Sequence, residues 1–177
     1  MNNKKQSKKK QSAHKKSSQK QSAPVLVPVD FSPASEAALL WAAEMAACGK
    51  TGLVILHVVH DLGEAPGYYA VKGLKKQLHR MEDTAKDMLD NFQKKLAEKH
   101  PELVEIKRAH LELVVGLPVS RILEVIEKIH PQMVIMGSQG RTGLGYLMLG
   151  SKAEQVVRLC PVPVTVVKAP EVPSKSK

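Results

Sequence analysis

The residues best suited to chemistry lie in one stretch: Gly137-Ser138-Gln139-Gly140-Arg141, continuing through further glycines to Gly150-Ser151. Glycines at 137 and 140 let the backbone pass close to a ligand, and Gly150-Ser151 leads into a predicted helix. The unpaired N–H groups and dipole at a helix start attract a phosphate. Arg141 stands within reach of the same anion. The second candidate is Asp30, at the end of an apolar run and two residues before Ser32-Pro33. Two better-known patterns do not fit. Gly145-x4-Gly150-Ser-Lys152 inverts the Lys-then-hydroxyl order of a phosphate-binding P-loop. Gly137-Ser138-Gln139-Gly140 lacks the spacing of a hydrolase nucleophile elbow, so Ser138 is not read as a nucleophile.

Other reactive side chains point to blander roles. His57, His60 and Asp61 crowd one strand end but lack the further ligand that a metal site needs. His57 is expected to face a ligand or solvent. Cys48 falls at the C-terminal end of a predicted helix, where the dipole disfavours a thiolate, and both it and Cys160 are expected to be inert. Met81 and Met88 read as core.

The elements that must position these groups alternate. Val25–Asp30 is a short apolar run, the mark of a buried strand. Ser32 and Pro33 then supply a helix cap and a first helical residue. Ala38, Trp41, Ala42 and Met45 give that helix its apolar face, and Gly49 ends it. Leu53–Val59 is a second strand. Leu74, Leu78, Met81, Ala85, Met88, Phe92 and Leu96 recur at helical spacing up to Pro101. Leu103–Val115 reads as a third strand, its polar content suited to an edge. Pro118 opens a helix with Val119, Ile122, Leu123 and Ile126 on one side. Met133–Met136, a helix over Ser151–Leu159, and Val162–Val167 complete the order. Solidly apolar strands alternating with helices predict an α/β fold, an open, doubly wound, parallel sheet of five strands. In such a sheet ligands bind beyond the carboxyl ends of the strands, where the strand order reverses.

The chain has 177 residues and a formal net charge of +10, from 27 Lys and Arg against 17 Asp and Glu. Eight lysines (Lys4, Lys5, Lys8, Lys9, Lys10, Lys15, Lys16 and Lys20) fall in residues 1–23, which hold no acid. Lys175 and Lys177 stand against Glu171 in residues 171–177. Residues 24–170 therefore hold 17 basic and 16 acidic groups, and are read as one near-neutral domain between two disordered tails. The plain reading of the first tail is a solvated extension; the sharper one is electrostatic tethering to an acidic polymer or membrane surface. No apolar run approaches the roughly 18 residues of a membrane span, and no apolar segment of a secretory signal follows the first lysines. Two cysteines suit a reducing, cytoplasmic setting.

Several spaced motifs together resemble the universal stress protein family. They are Gly137-x2-Gly140-x9-Gly150-Ser151, Val27-Pro-Val-Asp30-x-Ser32, Leu56-His57-Val58, Gly116-x-Pro118 and Pro161-Val-Pro-Val-Thr-Val-Val167. The resemblance spans residues 24–170. It implies a Rossmann-like sheet of strand order 3-2-1-4-5 and a site for ATP, or for ADP or AMP. In ATP-binding members the counterpart of Asp30 contacts the ribose. Pro28, Val29, Val58 and Met136 match positions around the adenine. Gly137, Gly140, Gly150 and Ser151 match those around the phosphates, which Mg²⁺ or Mn²⁺ accompanies. Lys152 and Ala153 depart from the usual small apolar and hydroxyl pair, so a hydroxyl contact is lost and a cation gained.

The expected function is a stress-response protein that signals through nucleotide occupancy and partner contacts. No general base is recognisable beside the loop, so catalysis is not expected beyond slow hydrolysis or autophosphorylation, with Ser151 nearest the phosphates. Pairing of the last strand, Val164–Val167, with its mate would make a homodimer. The alternative is a nucleotide-free dimeric scaffold of the same fold.

Overall fold

A computed structural model of the chain describes residues 22–61, 74–139 and 149–169. Its elements are β1 (Val25–Pro28), α1 (Pro33–Gly49), β2 (Leu53–His60), α2 (Leu74–Lys99), α3 (Val104–Arg108), β3 (His110–Gly116), α4 (Pro118–Ile129), β4 (Met133–Gly137), α5 (Ser151–Leu159) and β5 (Val164–Val167). All strands pair in parallel in one sheet, in the order β3-β2-β1-β4-β5. The fold expected from the alternation of apolar runs is the one observed. No helix among the described residues is long and apolar enough to cross a membrane.

Each central strand buries both faces. Val25, Val27, Leu53, Ile55 and Ile135 pack against α1, α2 and α3, with Leu89, Leu96 and Ile106. Leu26, Val54, Leu56, Val134 and Met136 pack against α4 and α5, with Ile122, Val125, Ile126 and Val156. Strand side chains alternate between faces, so a strand covered by helices on both sides must be apolar throughout.

Helix α1 begins as its sequence dictates. Pro33 occupies the first turn, and the Ser35 backbone N–H donates to Ser32 Oγ at 3.2 Å. It ends at Gly49, but the left-handed residue is the following Lys50, with φ 48°. The helix lies very close to β4: a Cβ added at Gly137 would stand 2.8 Å from the backbone carbon of Ala34. Gly137 thus has a packing reason for lacking a side chain, besides any approach of a ligand.

Four sequence expectations need correction. Trp41 is 44% exposed, because the buried stripe of α1 is Ala34, Ser35, Ala38, Leu39, Ala42, Ala43 and Ala46. An alanine face lets the helix approach where an indole could not. Met81 and Met88 are 45% and 39% exposed and are not core. Among the described side chains of α2 the buried ones are Ala85, Leu89 and Leu96, with Leu89 inward where Met88 was expected. Leu103–Val115 is not one strand: α3 forms first, burying Ile106, and β3 starts at His110. β3 is an edge strand, which explains its polar residues. β5 starts at Val164 rather than Val162, after Pro163, which lends only its carbonyl, to Val134 N at 2.9 Å.

On β3, Glu112 Oε1 accepts from Lys128 Nζ of α4 at 3.1 Å, and His110 Nε2 lies 3.1 Å from Glu112 Oε2. The Lys128 hydrogen bond, aided by His110 and opposed by partial burial, holds the Glu112 carboxyl below its ordinary value of 4.5. A lowered carboxyl pKa stabilises the fold above the unfolded value and loses that contribution as pH falls through the folded value. Glu112→Gln is therefore expected to be less stable than the parent at pH 7. The gap in denaturant midpoint should close as pH is taken below 4.5; a gap independent of pH would refute the pairing. For α2, Leu89→Ala should cost about 2–5 kcal/mol and Met88→Ala under about 1. Urea unfolding of the two variants checks this, and equal losses would contradict the assigned face.

Candidate functional site

The carboxyl ends of β1 and β4 part where the strand order reverses. A cavity of about 400 Å³ opens there. Its walls come from the ends of β1, β2 and β4 and from the starts of α4 and α5. Of the residues singled out from the sequence, Pro28, Val29, Asp30, Val58, Met136, Gly137, Gly150, Ser151 and Lys152 all line it. Gly140 and Arg141 lie outside the described residues.

The β1 side is held by short-range turn chemistry. Val29 N donates to Leu56 O at 2.8 Å, continuing the sheet beyond β1. Asp30 Oδ1 accepts from Ser32 N at 3.1 Å, and Asp30 N approaches Ser35 Oγ at 3.4 Å. Asp30 therefore braces the turn with one carboxylate oxygen while Ser32 caps the helix.

Between them, Phe31 adopts φ 64°, a region that a bulky side chain rarely enters. Its ring is held by His57, with centroids 4.4 Å apart, and by the edge-on ring of Phe92, at 5.3 Å. His57 Nδ1 lies 2.8 Å from Val29 O. A carbonyl only accepts, so this nitrogen carries the proton. His57 thus ties the end of β2 to the end of β1 and also lines the cavity. His60 lines it too, at the exposed end of β2. No group of three or more His, Cys, Asp or Glu side chains that could hold a metal ion occurs among the described residues.

The β4 side differs electrostatically. Ser138 N donates to Val167 O, and Gly150 N donates to Ser138 O, both at 2.8 Å, so the two ends of the 139–149 segment are pinned together. Helix α5 then starts at Ser151 with Gly150 as its N-cap and no side chain capping it. The first-turn N–H groups of such a helix lack helical acceptors, and Ser151, Lys152 and Ala153 all border the cavity. Ser32 caps α1, whereas neither α4, with Leu117 at its N-cap and Pro118 in its first turn, nor α5 has a side-chain cap, so the uncapped helix starts at the cavity are those of α4 and α5. Val29, Val58, Ile122 and Met136 make the remaining wall apolar.

Ser35, Pro118, Ile122, Ser138 and Gln139 also line the cavity and were not chosen as site residues. Ser138 and Gln139 sit inside the glycine motif, so their neighbourhood was visible. Ser35 follows directly from the Ser32 cap. Pro118 and Ile122 belong to α4, and only the packing of that helix across the sheet brings them to the site.

An apolar wall, a carboxylate and an uncapped helix start around one cleft suit a ligand with a flat apolar part and an anionic end. The model of the universal stress protein family matches residues 22–168. A universal stress protein of Methanocaldococcus jannaschii is 29% identical over 157 residues, 81% of this chain and 93% of that one. Its solved structure matches with a TM-score of 0.64 and 26% identity, over 84% of this chain and 97% of that one. Two structures of the same fold are a universal stress protein in complex with cAMP and one from Archaeoglobus fulgidus in complex with dAMP. Their TM-scores are 0.54 and 0.52, at 21% and 20% identity; each covers 97% of its own chain, with 83% and 82% of this one. Curated mycobacterial relatives, 30–31% identical, are matched over only 45–46% of their length, so the chain spans about half of them. With a family model matching nearly all of the described region and a fold that agrees in strand order, the chain belongs to the universal stress protein family.

Proposed function

We propose that this protein binds an adenine nucleotide, ATP or its ADP or AMP forms, in the cavity between β1 and β4, and that occupancy alters its contacts in a stress response. The observation that carries this reading is the polarity of the cleft: Val29, Val58 and Met136 at one side, the uncapped start of α5 at the other, and Asp30 beside them. The apolar wall suits a purine, the α5 N–H groups and Lys152 suit phosphates, and Asp30 suits ribose hydroxyls. Gly140 and Arg141 extend the same phosphate contacts in this reading. The cAMP and dAMP complexes of proteins with this fold support the ligand class. Mg²⁺ or Mn²⁺ would accompany the phosphates, which supply the hard anionic oxygens such ions prefer.

Heat denaturation of protein purified without added nucleotide should release ATP, ADP or AMP, identified by mass spectrometry. Saturating ATP at about 100 times Kd should raise Tm by roughly 5–10 °C. Asp30→Ala should weaken binding about tenfold or more, the worth of a charged hydrogen bond. A protein that releases nothing and gains no Tm with ATP would leave the nucleotide-free scaffold as the better reading.

The proposal extends to a homodimer through β5. That strand ends the sheet, its four residues are only half-buried, and Val157 and Leu159 of the adjoining α5 are 43% and 55% exposed. An unpaired edge beside exposed apolar groups favours pairing with a second copy. Sedimentation velocity should find a dimer for the parent and a monomer for Val166→Lys. A parent that sediments as a monomer at micromolar concentration would defeat the assignment.

A further inference from the structure

Asp30 lies in a turn whose shape its own residues do not favour. Its successor, Phe31, sits at φ 64°, a conformation that glycine takes freely and that a residue with a Cβ resists. A phenylalanine stays there only where neighbouring groups over-determine its position. Two rings do so. His57 stacks on Phe31 with centroids 4.4 Å apart and planes tilted by 35°. Phe92 of α2 meets it edge-on, at 5.3 Å and 74°. His57 does more than stack. Its Nδ1–H donates to Val29 O at 2.8 Å. One imidazole therefore holds the residue before Asp30 by its carbonyl and the residue after it by its ring. The register of the sheet keeps His57 in place for this: Leu56 pairs with Pro28, and Leu56 O accepts from Val29 N at 2.8 Å. β2 runs on past the end of β1 and carries His57 alongside the turn.

We propose that His57 is the positioning residue for the Asp30 carboxylate, fixing it for a ligand in the cleft before that ligand arrives. With Val29 and Phe31 both held, the backbone of Asp30 has little freedom left. Oδ1 accepts from the buried Ser32 N at 3.1 Å, which fixes the side chain as well and leaves Oδ2 for a hydroxyl of the ligand. A carboxylate fixed beforehand spares the ligand the cost of ordering it. For one immobilised side chain that is roughly a factor of three to ten in affinity. His57 lines the same cavity but need not touch the ligand to have this effect. The effect on affinity rests on the nucleotide reading of the cleft; the effect on the turn stands without it.

The test compares the full-length parent with His57→Ala, His57→Phe, Asp30→Ala and the double variant H57A/D30A. Amide hydrogen exchange without nucleotide reads the turn. Ser32 N–H should exchange about threefold to tenfold faster in His57→Ala. Val134 N–H, which donates to Pro163 O within the sheet, should keep its parent rate and so report an intact fold. Where Val134 exchange quickens too, His57→Asn, which keeps an N–H for Val29 O and gives up the ring, takes the place of His57→Ala. Titration calorimetry should find ATP bound about threefold to tenfold more weakly by His57→Ala. Inorganic triphosphate, which has no ribose, should bind the variant and the parent equally. His57→Ala should add nothing to the loss caused by Asp30→Ala, because it acts through that carboxylate. His57→Phe keeps a ring against Phe31 and should recover most of the affinity. An unchanged Ser32 exchange rate overturns the brace. Additive losses in the double variant overturn it as well, since His57 would then act on ATP without Asp30. A matching loss for triphosphate means general damage to the cleft and overturns it, and His57→Phe as weak as His57→Ala overturns the role of the ring. If Ser32 exchange quickens but the parent does not bind ATP, the brace holds and the nucleotide reading of the cleft falls.

Discussion

Burial of β1 between β2 and β4 is the constraint on which the rest depends. Val25, Leu26 and Val27 are fully buried, with helices against both faces. From this strand the chain passes to α1 on one face, while β4 leads to α5 on the other. The two connections diverge, and the divergence opens the cleft. The close approach of α1 to β4 at Gly137 anchors one wall of it. A doubly wound sheet therefore yields a site as a consequence of topology, before any side chain is chosen for a ligand.

Side chains then differentiate the α1 and α5 starts, which meet there beside that of α4. Both α1 and α5 point their N-termini toward the carboxyl end of the sheet. Ser32 satisfies the first turn of α1, and Asp30 in turn braces Ser32. α5 has only Gly150 at its cap, with a main chain pinned by Ser138 and no side-chain acceptor. Unsatisfied donors in a cleft with an apolar wall are worth more to an anion than the same donors in open water, because the local dielectric is lower. The strained Phe31 and its partner His57 belong to this arrangement, since they hold the turn that presents Asp30.

The charge distribution places the molecule's other resource elsewhere. The formal charge of +10 describes a near-neutral domain with a basic segment attached at the amino end of the sheet. Two exposed cations, Lys50 and Arg108, continue that character onto the fold.

The doubly wound parallel sheet, Asp30 and the glycine loop were legible in the sequence because the reasons for them are local or topological. The strand order and the apolar cleft residues came with the family resemblance. A strand covered on both faces has no polar option, and a glycine-rich loop after it, leading into a helix, announces unpaired N–H groups. Helix faces were less legible. Periodicity reveals that a face is buried, but which step of the turn lies inward depends on the neighbour's shape. Alanines outcompeted Trp41 where α1 meets the sheet closely, and Leu89 displaced Met88 on α2 for the same kind of reason. The run from Leu103 to Val115 held both a helical turn and a strand, which a continuous apolar pattern does not separate. Pro118 and Ile122 reach the cleft only because α4 crosses β2 and β3. The sequence alone thus determined the fold class, the position of the glycine-rich loop and the basic segment, all of which follow from backbone hydrogen bonding, burial and charge. Only the tertiary structure decided the phase of the helices and the far wall of the site, because those depend on how closely whole elements can approach one another.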